Sequence, residues 1–344
     1  APLARVGVVY SENTERNYGG QSWQKNIGDH ENGMYHLLVE GSMPFEMVND
    51  RLLDEQSLQE FKLLILPNVA ALSDEQCDQL RQFVRRGGSL VATYETSLYD
   101  EEGKIRSDFG LADTFGVNYD NAVEGPLQNS YLRLKSDVAA KQYHPVLKGL
   151  ADAYRIINTT HQVKVKPGAD FPAPVTIVPT YPDLPMEDVY PRVPDTGDRG
   201  VYLRELGEAR IAYIPGDMDR TFWQIMSGDH ATLLRNIVRW ALNEEPLIEV
   251  DSSGSVIDVA LWRQERSMTA HLVNLTNPMM MKGPFRQLVP VAADVSIRIP
   301  KGAKVKDVKL LVSDRKASYK IDGDVLKVNV PRIEDFEIVG IDLA

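Results

Sequence analysis

Cysteine is nearly missing: one in 344 residues. A single thiol forms no internal disulfide and excludes a multi-cysteine zinc site, while saying little about compartment. Basic charge is also short. Lys+Arg number 38 against 49 Asp+Glu, a net charge of −11. That balance argues against nucleic acid or an anionic membrane as partner, since each needs a basic face. No apolar run approaches the roughly 20 residues of a membrane span. Initiator methionine and signal peptide are absent too. The chain opens Ala1-Pro2-Leu3-Ala4 and runs straight into a strand, as expected of a processed or excised piece of a larger parent.

Several chemical signatures are missing as well. Gly19-Gly20 is too short for a phosphate loop, and there is no G-x-S-x-G. His30, His36, His144, His161, His230 and His271 are scattered. His30 and His36 miss the four-residue spacing of a helical zinc pair. Neither metal nor cofactor is expected.

What remains is an ordinary globular composition, 43% hydrophobic and 25% charged, long enough for about two domains. Apolar runs at 5–10, 45–48, 62–67 and 89–94 alternate with helical patterns. The first helix is expected over 33–43, after a polar stretch from Ser11 to Asp29. The next is the best marked. Ser73 and Gln76 make a capping box, Leu72 staples onto Cys77, and Cys77, Leu80, Phe83 and Val84 form its apolar stripe before Gly87-Gly88. This β-α-β-α-β-α-β grammar predicts a parallel sheet with helices on both faces.

Past Glu101 the order loosens. A turn or short helix is expected at 144–150 and a strand at 158–166. Seven prolines between Pro172 and Pro194 predict an extended loop. A hairpin across Gly207 and a helix capped by Asp229 follow. Beyond Pro246, strand-like segments recur at 256–262, 268–275, 295–299, 305–312, 325–330 and 336–343. They predict a small antiparallel β-sandwich. The expected domains are 1–246 and 247–344. The run Met279-Met280-Met281 is either a sticky partner surface or folded under its own loop.

Cys77 sits on an apolar helical stripe and reads as core, not nucleophile. A nucleophile of this architecture belongs at the turn Thr93-Tyr94-Glu95-Thr96-Ser97, which lacks the small neighbours of a nucleophile elbow. Glu95 or Ser97 is the expected tip. Glu95 is otherwise expected to bond local backbone or touch a neighbouring domain. Asp217 and Asp219 stand two apart after a strand, a spacing that suits a metal or sugar hydroxyls. Arg220, Phe222 and Trp223 follow, making Arg220 and Trp223 candidate ligand contacts. The bland alternative pairs Asp219 with Arg220 or makes it a helix cap.

Three segments carry a resemblance: Lys62 to Asn68, Leu72 to Gln76, and Phe83 to Tyr94. Together they resemble the trimerisation domain of family-42 β-galactosidases, best over residues 1–120 and more loosely to 245. The resemblance implies a flavodoxin-like, class I glutamine-amidotransferase-like fold without amidotransferase chemistry, which fits the missing elbow cysteine. Tyr213 to Trp223 and His271 to Pro278 look like C-terminal regions of large bacterial glycoside hydrolases. In those, a catalytic barrel precedes a trimerisation-type domain and a β-domain. No barrel fits this chain, so the resemblance implies an upstream barrel holding the catalytic carboxylates. It transfers no catalytic residue to a position here.

The leading expectation is a non-catalytic assembly region of a multidomain glycoside hydrolase. Its partners would be the upstream barrel and further copies of itself, such as a trimer, with carbohydrate as a ligand. The rivals are a freestanding hydrolase using Glu95, Asp217, Asp219 and His161 or His30, and a carbohydrate-binding module stacking sugar on Trp223 or Trp262.

Overall fold

A computed structural model describes residues 1–136, 142–276 and 289–344. The chain divides into two compact units. One comprises Val6–Leu37 and Met47–Asn243, the other Ala1–Arg5, Leu38–Glu46 and Glu244–Ala344. The Met279–Met281 run lies outside the described residues.

The first unit is mixed α/β. Its elements begin β1 (Val6–Tyr10), α1 (Glu12–Asn17), α2 (Asp29–Glu40), β2 (Phe45–Asn49), α3 (Glu55–Leu58), β3 (Leu63–Leu66), α4 (Asp74–Arg85), β4 (Ser89–Thr93) and α5 (Ala112–Phe115). Five short strands follow, β5 (Val117–Glu124), β6 (Tyr131–Leu134), β7 (Arg155–Ile157), β8 (Gln162–Pro167) and β9 (Val175–Val178), in two antiparallel sheets, β5-β8 and β7-β6-β9. The hairpin β10 (Tyr202–Leu206) and β11 (Ala209–Ile214) leads into α6 (Met218–Ile225) and α7 (Gly228–Leu242).

The main sheet runs β10-β11-β4-β3-β1-β2. β1, β3, β4 and β11 are mutually parallel, with Val8 opposite Ile65, Ile65 opposite Val91 and Ala92 opposite Tyr213. Every residue of β3 and β4 is buried, which explains why Leu63–Leu66 and the centre of β4, Leu90-Val91-Ala92, read as continuous apolar runs rather than alternating ones.

α4 forms as its sequence dictates. Ser73 Oγ accepts from the Gln76 N–H at 3.1 Å, and Gln76 Oε1 accepts from the Ser73 N–H at 2.9 Å. Its stripe of Cys77, Leu80, Phe83 and Val84 joins the core. Cys77 is buried, and burial pushes its thiol up to about 11, which suits a packed apolar residue and not a thiolate.

The structure differs from expectation at several elements. The polar stretch 11–29, for which no element is expected, is structured. It folds into α1, a 3₁₀ turn at Gly20–Ser22 and a π-helical turn at Gln24–Gly28 that runs into α2. α2 therefore starts at Asp29, four residues earlier than its apolar periodicity begins, because its first turn buries His30 on a polar partner. The cap of α7 is Ser227, whose Oγ accepts from the His230 N–H at 3.4 Å; Asp229 lies inside the first turn. The proline-rich stretch carries β9 between Pro174 and Pro179 and one 3₁₀ turn at Met186–Asp188.

The second unit consists of β12 (Ile248–Asp251), β13 (Ile257–Arg263), β14 (Ser267–Asn274), β15 (Val291–Arg298), β16 (Val305–Leu310), β17 (Arg315–Lys316), β18 (Ser318–Asp322), β19 (Val325–Ile333) and β20 (Phe336–Leu343). They form two antiparallel sheets, β12-β15-β19-β18 and β13-β14-β20-β16-β17. Alternate residues such as Met268, Ala270, Leu272, Val295, Ile297, Val328, Val330, Val339 and Ile341 enclose one core, the period-2 pattern of a half-buried strand. Among the described residues of this unit, Asn274 and Glu337 are the buried polar exceptions. The buried Glu337 carboxylate accepts from the backbone N–H groups of Val312, Ser313 and Ile338.

Candidate functional site

Open α/β sheets bind ligands outside the carboxyl ends of their strands, where strand order reverses. Here those ends carry a buried polar network. β3 ends before Asn68 and β4 before Tyr94, and both residues adopt left-handed backbone, φ 47° and 54°. For an aromatic residue that conformation is unusual and strained. No helix follows β4 directly, the next being α5 from Ala112, so the turn after β4 is not the strand-to-helix elbow of hydrolases. The residues with positive φ in this turn are Tyr94 and Ser97, so of the two expected tips Ser97 has left-handed backbone and Glu95 does not. The Tyr94 ring stacks on His30 at 5.6 Å, and the Arg220 guanidinium lies 5.6 Å from its centre. Its carbonyl accepts from the Tyr213 hydroxyl at 2.6 Å.

Glu95 is 8% exposed. Within the chain its carboxylate is held by side chains, not by local backbone. Tyr18 donates a short hydrogen bond to Oε2, and Tyr99 donates to Oε1 at 3.3 Å. The Glu95 N–H donates to Asn68 Oδ1 at 3.2 Å, and Asn68 Nδ2 donates to the Asn26 carbonyl at 2.8 Å. Burial raises the Glu95 carboxyl above its ordinary range, against the two tyrosine hydroxyls that lower it.

Asp219 is fully buried on the first turn of α6. His30 Nδ1 lies 2.7 Å from its Oδ1, which also accepts from the Arg220 N–H at 2.9 Å. Thr93 Oγ1 donates to Oδ2 at 2.7 Å and accepts from the Asn68 N–H at 2.9 Å. Gly33 makes the arrangement possible. A Cβ there would sit 2.1 Å from the Asp219 carbonyl oxygen, so only glycine lets α2 press backbone-to-backbone on α6 and deliver His30 one turn earlier.

Asp217 is also fully buried. Oδ1 accepts from the N–H groups of Thr160 and His161 at 2.9 and 2.8 Å and from Thr221 Oγ1 at 3.2 Å. Oδ2 accepts from Thr160 Oγ1 at 2.6 Å and pairs with the Arg220 guanidinium. Burial alone would raise this carboxyl. The His161 contact, the Arg220 charge and the backbone donors outweigh burial and hold it well below the ordinary range. Arg220 thus pairs with Asp217 through its side chain and touches Asp219 only through its backbone.

The three candidate carboxylates do converge on one region, linked through Asn68, Thr93, Tyr94 and Arg220. They are nonetheless sealed and turned inward. The carboxylates of Asp217 and Asp219 hold different sets of side chains. α6 begins between them, and two residues along a helix rotate side chains by about 200°. Trp223 is half-buried beside His36, ring centres 5.9 Å apart, and Arg220 is 4% exposed. Trp262 is 41% exposed on β13. Among the described residues no group of three or more His, Cys, Asp or Glu is placed to hold a metal ion.

Sequence reasoning passed over Tyr18, Asn68, Thr93, Tyr99 and Thr160. The available signal was Asn68 after Pro67, a residue that tolerates left-handed backbone at a strand end. The tyrosines carry no motif.

With this geometry in view, residues 4–134 match the family model of the β-galactosidase trimerisation domain. The whole chain is similar in fold to α-L-fucosidase isoenzyme 2 from Paenibacillus thiaminolyticus. The TM-score is 0.74 at 19% identity, covering 100% of this chain and 49% of that one. The β-galactosidase from Bacillus circulans sp. alkalophilus gives 0.61 at 13%, covering 99% and 42%. Gan42B, a GH42 β-galactosidase from G. stearothermophilus, gives 0.59 at 16%, covering 98% and 40%. The chain therefore spans half or less of the length of these structures.

Proposed function

We propose that this chain is a non-catalytic assembly and accessory region of a larger glycoside hydrolase. Its trimerisation-type domain lies within residues 1–246 and its β-sandwich within 247–344. The parallel sheet is of the flavodoxin-like, glutamine-amidotransferase-like kind. The strand order β2-β1-β3-β4-β11 supports this reading, because it is the 2-1-3-4-5 winding of flavodoxin-like sheets. The partners are an upstream catalytic barrel and further copies of the chain, in a trimer.

One observation carries the reading. The place where this architecture displays reactive groups is closed, and its carboxylates are used up in internal bonds. Asp217 accepts five hydrogen bonds or ion-pair contacts from within the fold. A general acid or base needs hydrogen-bond reach to a substrate, and neither Asp217 nor Asp219 has surface to offer. Such a network stiffens the unit, which is what an assembly scaffold requires. The family match over residues 4–134 supports the same reading.

Sedimentation equilibrium tests it. The expected mass is three times the 38.6 kDa chain. A chain that stays at 38.6 kDa across the micromolar range would overturn the assembly role.

A further inference from the structure

The segment plugging the strand ends also presents an aromatic surface outward, and nothing above uses it. Trp23 is 52% exposed. It precedes the π-helical turn Gln24–Gly28, a form that occurs mostly as single turns and frequently at functional sites. Asn68 Nδ2 pins the turn from below through the Asn26 carbonyl. Trp23 therefore stands on the cover of the crevice where this architecture holds ligands.

Its placement is fixed by two glycines. A Cβ at Gly19 would lie 3.0 Å from Trp23 Cβ, and one at Gly28 would lie 3.2 Å from Trp23 Cζ3 and 2.7 Å from Gln24 Nε2. Bare backbone at both positions lets the indole lie close against the turn. Beside it, the Asp29 carboxylate accepts from Gln24 Nε2 at 3.2 Å on Oδ1 and from Gln224 Nε2 at 3.0 Å on Oδ2. Both glutamines are exposed, so two amides and a carboxylate form a preset polar edge at the foot of the indole.

From this juxtaposition we infer that Trp23, Gln24, Asp29 and Gln224 form a binding site for a neutral pyranose. The C–H face of the sugar lies on the indole, and its hydroxyls meet the amide and carboxylate edge. An apolar ring with a few fixed polar groups is the usual make-up of a small-ligand site. A protein partner fits less well. The exposed neighbours of Trp23 are Gln21, Ser22, Gln24 and Lys25, whereas the centre of a protein interface is depleted of charge and lined by apolar surface. The choice of sugar rests on the glycoside hydrolase reading. The site's existence rests on the geometry.

Saturation-transfer NMR on the full 344-residue chain tests this, with methyl β-D-galactopyranoside and methyl α-L-fucopyranoside as probes. Irradiating indole protons should transfer saturation to one face of at least one sugar, with Kd on the order of 1 mM for so small a ligand. Trp23→Ala should weaken binding at least about tenfold, and Asp29→Asn should weaken it less, with urea midpoint and sedimentation mass unchanged. The inference fails if neither sugar binds, if Trp23→Ala binds as well as the parent, or if Trp23→Ala splits an oligomer that binds no sugar. A trimer that ignores both sugars sinks this site and leaves the assembly role standing. A monomer that binds sugar through Trp23 does the reverse.

Discussion

Replacing Asp217 by asparagine should unfold the α/β unit more easily than any surface change. The substitution keeps the shape and removes the charge. In either amide orientation, an N–H₂ group meets existing donors: the Thr160 and His161 N–H groups on one side, or Thr160 Oγ1 and Arg220 on the other. Arg220, 4% exposed, loses its counter-charge. Breaking a buried pair by changing one partner costs about 3–5 kcal/mol. With a urea m-value of about 3 kcal/mol/M, the midpoint should fall by about 1–2 M. Fluorescence-monitored urea melts read this directly. The pH dependence supplies a second arm. The folded carboxyl lies below its unfolded value of 3.8, so its contribution is full above that value and is lost as pH falls through the folded one. The gap between parent and variant should therefore be largest near neutrality and shrink below about pH 4. A midpoint within about 0.3 M of the parent at pH 7 would refute the structural role given to this carboxylate.

Glu95→Gln should act in the opposite sense. The folded Glu95 carboxyl is raised above 4.5 by burial, so its stabilising neutral form is lost as pH rises through the folded value. The variant should melt higher than the parent at pH 8 and converge with it below 4.5 in paired thermal scans. Gly33→Ala drives a methyl to 2.1 Å from the Asp219 carbonyl. Overpacking of about 1–3 kcal/mol should lower Tm by roughly 2–12 °C in calorimetry, and an unchanged Tm would contradict the backbone contact. Cys77, with its thiol near 11, should resist Ellman's reagent at pH 8 until urea unfolds the chain. Prompt native-state labelling would refute its burial.

Much of the fold was legible because it depends on local pattern. The apolar run of β3 and the apolar centre of β4, the capping box of α4 and the period-2 alternation of β14 and β20 each announce their own geometry. β18 was not legible. Its Ser-Tyr-Lys-Ile-Asp sequence alternates, but all five residues are exposed, so no buried face marks it, and its ladder with β19 defines it. The N-terminal turn of α2 hid for a related reason: its buried face is polar, His30 against Asp219, and hydropathy is blind to that. The candidate site was half legible. Asp217, Asp219, Arg220 and Glu95 were picked out by type and by position at strand ends. Their roles were not, because these depend on partners as distant in sequence as Tyr18 and Thr160, which only the fold brings near. The Asp217/Asp219 spacing misled because two residues apart means one surface on a loop and opposite sides on a helix.

The central claim is that the strand-end carboxylates hold this unit together and perform no chemistry. Release of nitrophenol from nitrophenyl β-D-galactopyranoside and α-L-fucopyranoside by the purified chain addresses it most directly. The rate should equal that of buffer alone, unchanged in Glu95→Gln and Asp219→Asn. Turnover above buffer that disappears in either variant would contradict the claim.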